Sequence, residues 1–177
     1  MARLRFHRFP TVFGELTLVW GEPHTVNRIY LPGRDTTMTK DYPEAKQGAD
    51  PNIRQLAESI SRFLAGKDVH FSMDAVALET CSEFQRRVLL AEYGIPRGHV
   101  STYQRIAEHI GCPGGARAVG GALSGNPFPI IIACHRAVRS DGGLGGYQGG
   151  LEMKRRLLEM EGVGFTGEKV DLIRVYY

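Results

Sequence analysis

Long apolar runs are missing from this sequence. The longest, Pro127 to Cys134, is less than half of the ~20 residues that a bilayer-spanning helix needs, so no membrane role is expected. The first ten residues, MARLRFHRFP, are basic with no apolar stretch behind them, which argues against a secretory signal. Cysteine is scarce: Cys81, Cys112 and Cys134 are an odd number with no CxxC pair. That argues against a disulfide framework or a zinc ribbon and fits a reducing, intracellular setting. His7, His24 and His70 lack the spacing of metal ligands, so they read as surface or strand residues and no metal site is expected. Apolar residues are not lacking. Hydrophobic residues make up 42% and charged residues 23% of the 177, which excludes disorder throughout and allows one large domain or two small ones. There is no internal repeat.

Net charge is only +3, but it is unevenly spread. Residues 1–80 balance ten basic side chains against ten acidic ones, whereas residues 84–156 carry ten against four. A local positive excess suits a polyanionic partner, DNA foremost, or a solvated basic face. Glycine shifts at the same place, with five of the 22 in residues 1–80 and 17 beyond. The second half therefore needs tight turns or close backbone approach. Both shifts put a domain boundary near residue 80, giving domains of residues 1–80 and 81–177.

In the first half, Thr11 to Trp20 and Arg28 to Leu31 read as strands, with Gly21 to Asn27 as the turn between them. Pro32 to Ala49 is polar and reads as an exposed loop. Asp50 caps a helix with Pro51 at its first position. Ile53, Leu56, Ala57, Ile60, Phe63 and Leu64 follow at helical spacing, and Gly66 stops it. Val69 to Phe71 reads as a further strand. Nothing in this small α/β unit looks catalytic.

In the second half, Ser82 and Gln85 form a capping box ahead of a helix that ends near Gly94. Ser101 or Thr102 caps the next helix, whose apolar face is Tyr103, Ile106, Ala107 and Ile110. Gly111-Cys112-Pro113 breaks the chain, and a short helix follows from about Gly115 to Ser124, with Ala116, Val119, Gly120 and Leu123 inward. Helix, short glycine-containing turn, helix is the pattern of a helix-turn-helix. The outward face carries Arg117, Gly121 and Ser124. So little bulk around one cation lets a backbone approach a duplex closely, or lets the face pack against another helix.

Two prolines and three isoleucines lead into Cys134-His135-Arg136, and the isoleucines predict a buried strand. A thiol becomes a nucleophile as its thiolate, which an adjacent base generates. Neighbouring strand residues point to opposite faces, however, and most buried cysteines are inert. Glu161 strengthens the case. It lies four residues after Leu157 and three after Leu158, on the apolar face of a helix that starts at Leu151. A carboxylate there is costly unless paired, and an imidazole is a natural partner. The other reading is a frayed helix end, since Gly162 follows directly.

From Phe84 to Gly162 the sequence resembles the O6-alkylguanine-DNA alkyltransferases (methylated-DNA–protein-cysteine methyltransferases). The segments VSTYQRIA, GGARAVGGALSGNP, PIIIACHRAV, GYQGGL and LLEMEG occur in that order and at matching intervals. Several motifs in register are far more specific than any one of them. The resemblance implies an α+β fold. Residues 1–80 would form a small, structural, ribonuclease H-like α/β domain. Residues 81–177 would form a helical, winged-helix-like domain that carries the helix-turn-helix, binds DNA and transfers the alkyl group.

The resemblance further implies stoichiometric, irreversible transfer of an alkyl group from O6-alkylguanine in double-stranded DNA to Cys134, by an intracellular monomer without cofactor or metal. The compartment would be the cytoplasm, or the nucleus in a eukaryote. His135 would act as base through a bridging water, with Glu161 orienting its ring. Tyr103 would contact the guanine and supply the proton that the departing base requires. Arg117 would fill the hole left by the flipped nucleotide, with Ala116, Gly120, Gly121 and Ser124 beside it on a helix-turn-helix docked in the minor groove. Tyr147, Gln148 and Gly149 would wall the base pocket, the Ala137 backbone would meet the base edge, and Asn126 would tie the helix-turn-helix to the active-site segment.

Two positions depart from the family pattern: Ala133 stands where proline is usual, which frees φ, and Gln148 stands where serine is common. The chemistry suits the residues. A thiolate displaces guanine from a saturated carbon and forms a thioether that no side chain here hydrolyses, so the protein acts once. An unperturbed thiol is already a few per cent ionised, so full deprotonation gains only ~30-fold, and the larger share falls to positioning and base flipping. Three other readings stand beside this one. A non-catalytic alkyltransferase-like damage sensor shares the motifs but lacks the cysteine that is present here. A cysteine hydrolase would use Cys134, His135 and Glu161 but leaves the helix-turn-helix unexplained. A transcription factor would use the helix-turn-helix but leaves Cys134-His135-Arg136 without a role.

Overall fold

Alternating residues in RFHRFPT and GELTLVWG build a hairpin, β1 (Arg5–Thr11) antiparallel to β2 (Gly14–Gly21), with Arg5 opposite Trp20 and Thr11 opposite Gly14. In this computed structural model, which describes residues 4–177, the chain divides into two compact units. One runs to Thr80 and includes Pro127–Ile131; the other comprises Cys81–Asn126 and Ile132–Tyr177. Part of the second half of the sequence, residues 127–131, therefore belongs to the first unit. Among the described residues the architecture is mixed, with small sheets and six α-helices, an α+β fold.

In the first unit, β3 (Thr25–Tyr30) pairs antiparallel with β2, and β4 (Lys46–Gln47) pairs parallel with β1. The sheet order is β3-β2-β1-β4. The strand expected from Thr11 to Trp20 is thus the last residue of β1, a turn and most of β2, and β3 begins at Thr25, inside the turn expected from Gly21 to Asn27. Val12 looks like a strand residue, but it sits on the turn, 60% exposed. The turn closes because Gly14 takes φ +119°, open to glycine, and the Thr11 hydroxyl donates to the Gly14 carbonyl. The expected polar loop contains α1 (Asp35–Asp41), which buries only Met38 against Val19 and Tyr30. One apolar residue in seven leaves no periodicity to read. Helix α2 (Pro51–Leu64) begins as expected, with the Asp50 carboxylate accepting from the Ile53 amide, and it buries Ile53, Ala57, Ile60, Phe63 and Leu64. Fully burying each of the larger side chains contributes about 1.5–3 kcal/mol. No strand forms over Val69 to Phe71. Phe71 is instead buried against Phe63.

In the second unit, α3 (Glu83–Tyr93) is capped by Ser82, whose hydroxyl accepts from the Gln85 amide. The Gln85 side chain does not close the box. It donates instead to the carbonyls of Ala122 and Gly125, tying α3 to the end of α5. Thr102 caps α4 (Tyr103–His109), and α5 (Ala116–Ser124) follows a turn in which Gly111 and Gly114 have positive φ. Ile106 and Ala107 on α4 and Val119 and Leu123 on α5 are buried, which makes the helix-turn-helix. The short strand β5 (Ser101–Thr102) runs parallel to β6 (Ala137–Val138). Helix α6 (Leu151–Met160) and the hairpin β7 (Phe165–Thr166)–β8 (Lys169–Val170) complete the unit. A core of Val100, Val138, Leu158, Val163 and Val170 lies behind β6.

Candidate active site

Cys134 opens a single 3-10 turn, Cys134–Arg136, rather than ending a strand. The isoleucines before it are buried as expected, but Ile130 has φ +77°, which no strand accommodates. On a turn the alternation of a strand does not apply, so it is no longer an argument against an adjacent Cys and His. The Cys134 amide and the Asn126 side chain both donate to the Ile132 carbonyl, at 2.8 and 3.1 Å. Burial pushes the Cys134 thiol up to about 11. The Glu92 charge adds to that rise, while the Asn126 side chain and Lys154 oppose it. At neutral pH the resting thiol is therefore protonated. Complete ionisation is worth ~10⁴-fold in nucleophile, not the ~30-fold of an unperturbed thiol.

His135 is one residue away. His135 Nε2 lies 2.9 Å from Glu161 Oε1, and both side chains are buried. Glu161 caps the end of α6, and its side chain is wholly enclosed, so it is not frayed into water. Arg136 donates to both of its oxygens, Nε to Oε2 at 2.9 Å and Nη2 to Oε1 at 2.8 Å, and its Nη1 donates to the Ile95 carbonyl. Burial alone would raise the Glu161 carboxyl, but His135 and the guanidinium outweigh it and hold it down at about 2. Burial lowers the pKa of His135 against the opposing pull of Glu161. The imidazole is thus neutral, with Nε2–H donating to the carboxylate and Nδ1 left as the basic nitrogen.

Around this core stand Tyr103, Tyr147 and Gln148. Burial pushes the Tyr103 phenol up to about 12. The Tyr147 ring stands edge-on to His135, and its buried hydroxyl has no hydrogen-bond partner. Gln148 donates to the Asn126 carbonyl at 2.8 Å. Gly145, at φ +71°, passes so close to Tyr103 that a Cβ there would lie 2.4 Å from the phenol oxygen.

Two charged residues of this cluster were not singled out from the sequence. Lys154 is fully buried, and its ammonium donates to the carbonyls of Ala137, Leu144 and Gly146 and lies 3.5 Å from Tyr103 Oη. Glu92 is also fully buried. The signal that identified Glu161 was available for both. Lys154 precedes Leu157 and Leu158 by three and four residues, and Glu92 follows Leu89 and Val88 by the same steps.

On α5, Arg117, Gly121 and Ser124 are exposed, while Ala116 and Gly120 are partly covered. Among the described residues no group of three or more His, Cys, Asp or Glu side chains is arranged to hold a metal ion, and no helix is long and apolar enough to cross a membrane.

Comparison with known proteins bears on the same region. Residues 83–163 match the family model of the 6-O-methylguanine DNA methyltransferase DNA-binding domain. The chain is 43% identical over 155 residues to the methylated-DNA–protein-cysteine methyltransferase of Methanothermobacter thermautotrophicus, covering 87% of this chain and 83% of the relative. It is 39% identical over 146 residues to that of Mycobacterium leprae, covering 77% and 87%. Among solved structures it is similar to Mycobacterium tuberculosis OGT in complex with DNA. That match has a TM-score of 0.76 and 31% identity and covers 89% of this chain and 92% of the other.

Proposed function

Because the chain belongs to the methylated-DNA–protein-cysteine methyltransferases, a family shown by a relative 43% identical over 87% of its length, we propose that Cys134 is the alkyl acceptor and that the duplex is held by the helix-turn-helix. The protein is a DNA-repair enzyme of direct alkyl transfer, and DNA is its partner. The substrate is O6-alkylguanine in a duplex, approached from the minor groove by one protein monomer with the damaged base flipped out. Its second unit binds DNA and does the chemistry, and its first is structural.

The observation that carries the assignment is the buried Cys134 thiol followed directly by a neutral His135 whose ring Glu161 holds at 2.9 Å. The thiol proton passes through one water to His135 Nδ1, the sulfur attacks the alkyl carbon, and the C–O6 bond breaks. Its electron pair goes to the guanine ring, which takes a proton from the Tyr103 hydroxyl. The raised pKa of that phenol keeps its proton in place until the leaving base develops charge. The resulting phenolate lies beside the Lys154 ammonium. His135 ends protonated against the Glu161 carboxylate. Tyr147, Gln148, Gly149 and the Ala137 backbone form the base pocket, and Asn126 braces it through the Ile132 carbonyl. Arg117, exposed on α5 among Gly121 and Ser124, takes the place of the flipped base, with Ala116 and Gly120 beside it.

The test is stoichiometric. Duplex DNA carrying radiolabelled O6-methylguanine should leave one mole of label per mole of protein and no more. C134A should take up none while still binding the duplex. Wild-type uptake by C134A would refute the assignment. Tight binding of the lesion by the wild-type protein without uptake would favour a damage sensor.

A further inference from the structure

The segment Gly145-Gly146-Tyr147-Gln148-Gly149-Gly150 sets a pair of glycines on each side of two pocket residues. Glycine leaves the backbone free, and ordering it costs more than ordering any other residue. Such a wall takes a fixed place only where other groups fasten it. Its two ends are fastened. The Lys154 ammonium donates to the carbonyls of Leu144 and Gly146, and the Gly150 amide closes a turn on the Tyr147 carbonyl at 3.1 Å. Between them the Gln148 side chain reaches out of the wall, and its Nε2 donates to the Asn126 carbonyl at 2.8 Å. Asn126 is itself buried and follows Gly125, which ends α5. The Gly125 carbonyl accepts from Gln85 on α3 at 3.1 Å. The Asn126 side chain donates to the Ile132 carbonyl, which also accepts from the Cys134 amide. The wall, the end of α5 and the turn that carries the nucleophile are thus joined through Asn126.

Deepening the alkyl-transfer reading, on which this rests, we propose that Gln148 is a positioning residue that restricts the site to small O6-alkyl groups, by fastening the glycine-flanked wall to the Asn126 carbonyl. The wall lies close over the reacting residues. Cys134 is only 5% exposed, the Tyr147 ring stands edge-on to His135 with centroids 6.3 Å apart, and the Tyr147 hydroxyl is enclosed. A methyl group adds one carbon beside the sulfur. A benzyl group adds a whole ring, and the wall must draw back to admit it. Drawing back breaks the Gln148 bond and takes a donor from the carbonyl of a buried residue. Without that bond the four glycines let the wall move at little cost. The penalty falls on large groups and not on methyl, so it is read as selectivity.

The experiment measures single-turnover transfer by the full chain from two duplexes, one carrying O6-methylguanine and one O6-benzylguanine. Q148M is the decisive variant, because methionine fills similar room and donates no hydrogen bond. Its benzyl-to-methyl rate ratio should exceed that of wild type by about three- to tenfold, the worth of one neutral hydrogen bond. A Q148M ratio equal to that of wild type overturns the proposal, and a rise seen in Q148A alone does the same, since it shows that bulk and not the bond excludes the larger group. A second measurement stands on the wild-type protein and needs neither a folded variant nor transfer. With glutamine side chains labelled with nitrogen-15, the Gln148 amide protons should exchange with solvent about tenfold or more slowly than those of a free glutamine amide. Exchange at the free rate overturns the tether. A protein that takes up neither alkyl group yet protects the Gln148 amide refutes the alkyl-transfer reading and supports the tether; methyl uptake with an unchanged Q148M ratio does the reverse.

Discussion

The Glu161 carboxylate holds His135 Nε2 at 2.9 Å and at the same time accepts two hydrogen bonds from Arg136. One carboxylate thus serves two purposes. It fixes which nitrogen of His135 is basic, and it neutralises a guanidinium that would otherwise be buried alone. The arrangement explains how a carboxylate at a helix end is tolerated inside the protein.

Glu161→Gln should therefore cost both reactivity and stability. The amide carries no charge and has one accepting oxygen in place of two, so Arg136 loses its countercharge and the amide NH2 is set against one of the three N–H donors that the carboxylate accepts from His135 and Arg136. Single-turnover methyl transfer should slow by about 10²–10⁴-fold, and denaturant unfolding should show a loss of about 3–5 kcal/mol. A variant with wild-type rate and stability would remove Glu161 from the account.

The acid side of the stability profile has a predicted sign. Glu161 falls from an ordinary 4.5 to about 2 in the folded protein. The unfolded chain therefore takes up this proton first as pH drops. The stabilisation is complete above pH 4.5 and is lost as pH falls towards 2, on the order of 3 kcal/mol in all. His135, lowered from 6.5 by burial, adds in the same direction below that pH. Urea midpoints between pH 2 and 6 should fall steeply in wild type and less steeply in E161Q; parallel curves would contradict this.

Gly145→Ala should be destabilising by about 1–3 kcal/mol. The position has φ +71°, and a methyl group there would meet the Tyr103 hydroxyl at 2.4 Å. Gly146→Ala is the control, since nothing lies within 4 Å of its added carbon. Thermal melting of the two variants checks this, and equal midpoints would show that the chain around Gly145 yields freely.

Much of this site was legible in the sequence, for identifiable reasons. Asp50, Ser82 and Thr102 cap helices because short polar side chains satisfy free amides locally, and that signal needs no tertiary context. Glu161 was found because helical spacing put it among leucines. Arg136 was not identified as its second partner, because no spacing predicts where a 3-10 turn aims a side chain. The isoleucines before Cys134 were read correctly as buried and wrongly as extended; burial follows from composition, whereas φ +77° at Ile130 is imposed by surroundings. Gln85 likewise abandons its expected capping partner for the carbonyls of Ala122 and Gly125, a tertiary contact that outweighs a local one. Helix α1, with a single buried residue, left no pattern to read.

Arg117→Ala should leave stability within about 0.5 kcal/mol, because the side chain is exposed on α5. It should weaken duplex binding and lower the salt slope of the binding constant by about one. It should also reduce the fluorescence rise of a 2-aminopurine placed beside the lesion, which reports the opened base. Unchanged affinity and fluorescence would move the DNA contact elsewhere.

In the proposed reaction one sulfur, that of Cys134, takes the alkyl group. After the protein is incubated with excess duplex containing O6-methylguanine and digested, mass spectrometry of the cysteine peptides measures this directly. A single added methyl is expected on the peptide bearing Cys134, with Cys81 and Cys112 unchanged. A methyl group on either of those residues, or an unmodified Cys134 after the lesion has been consumed, would contradict it.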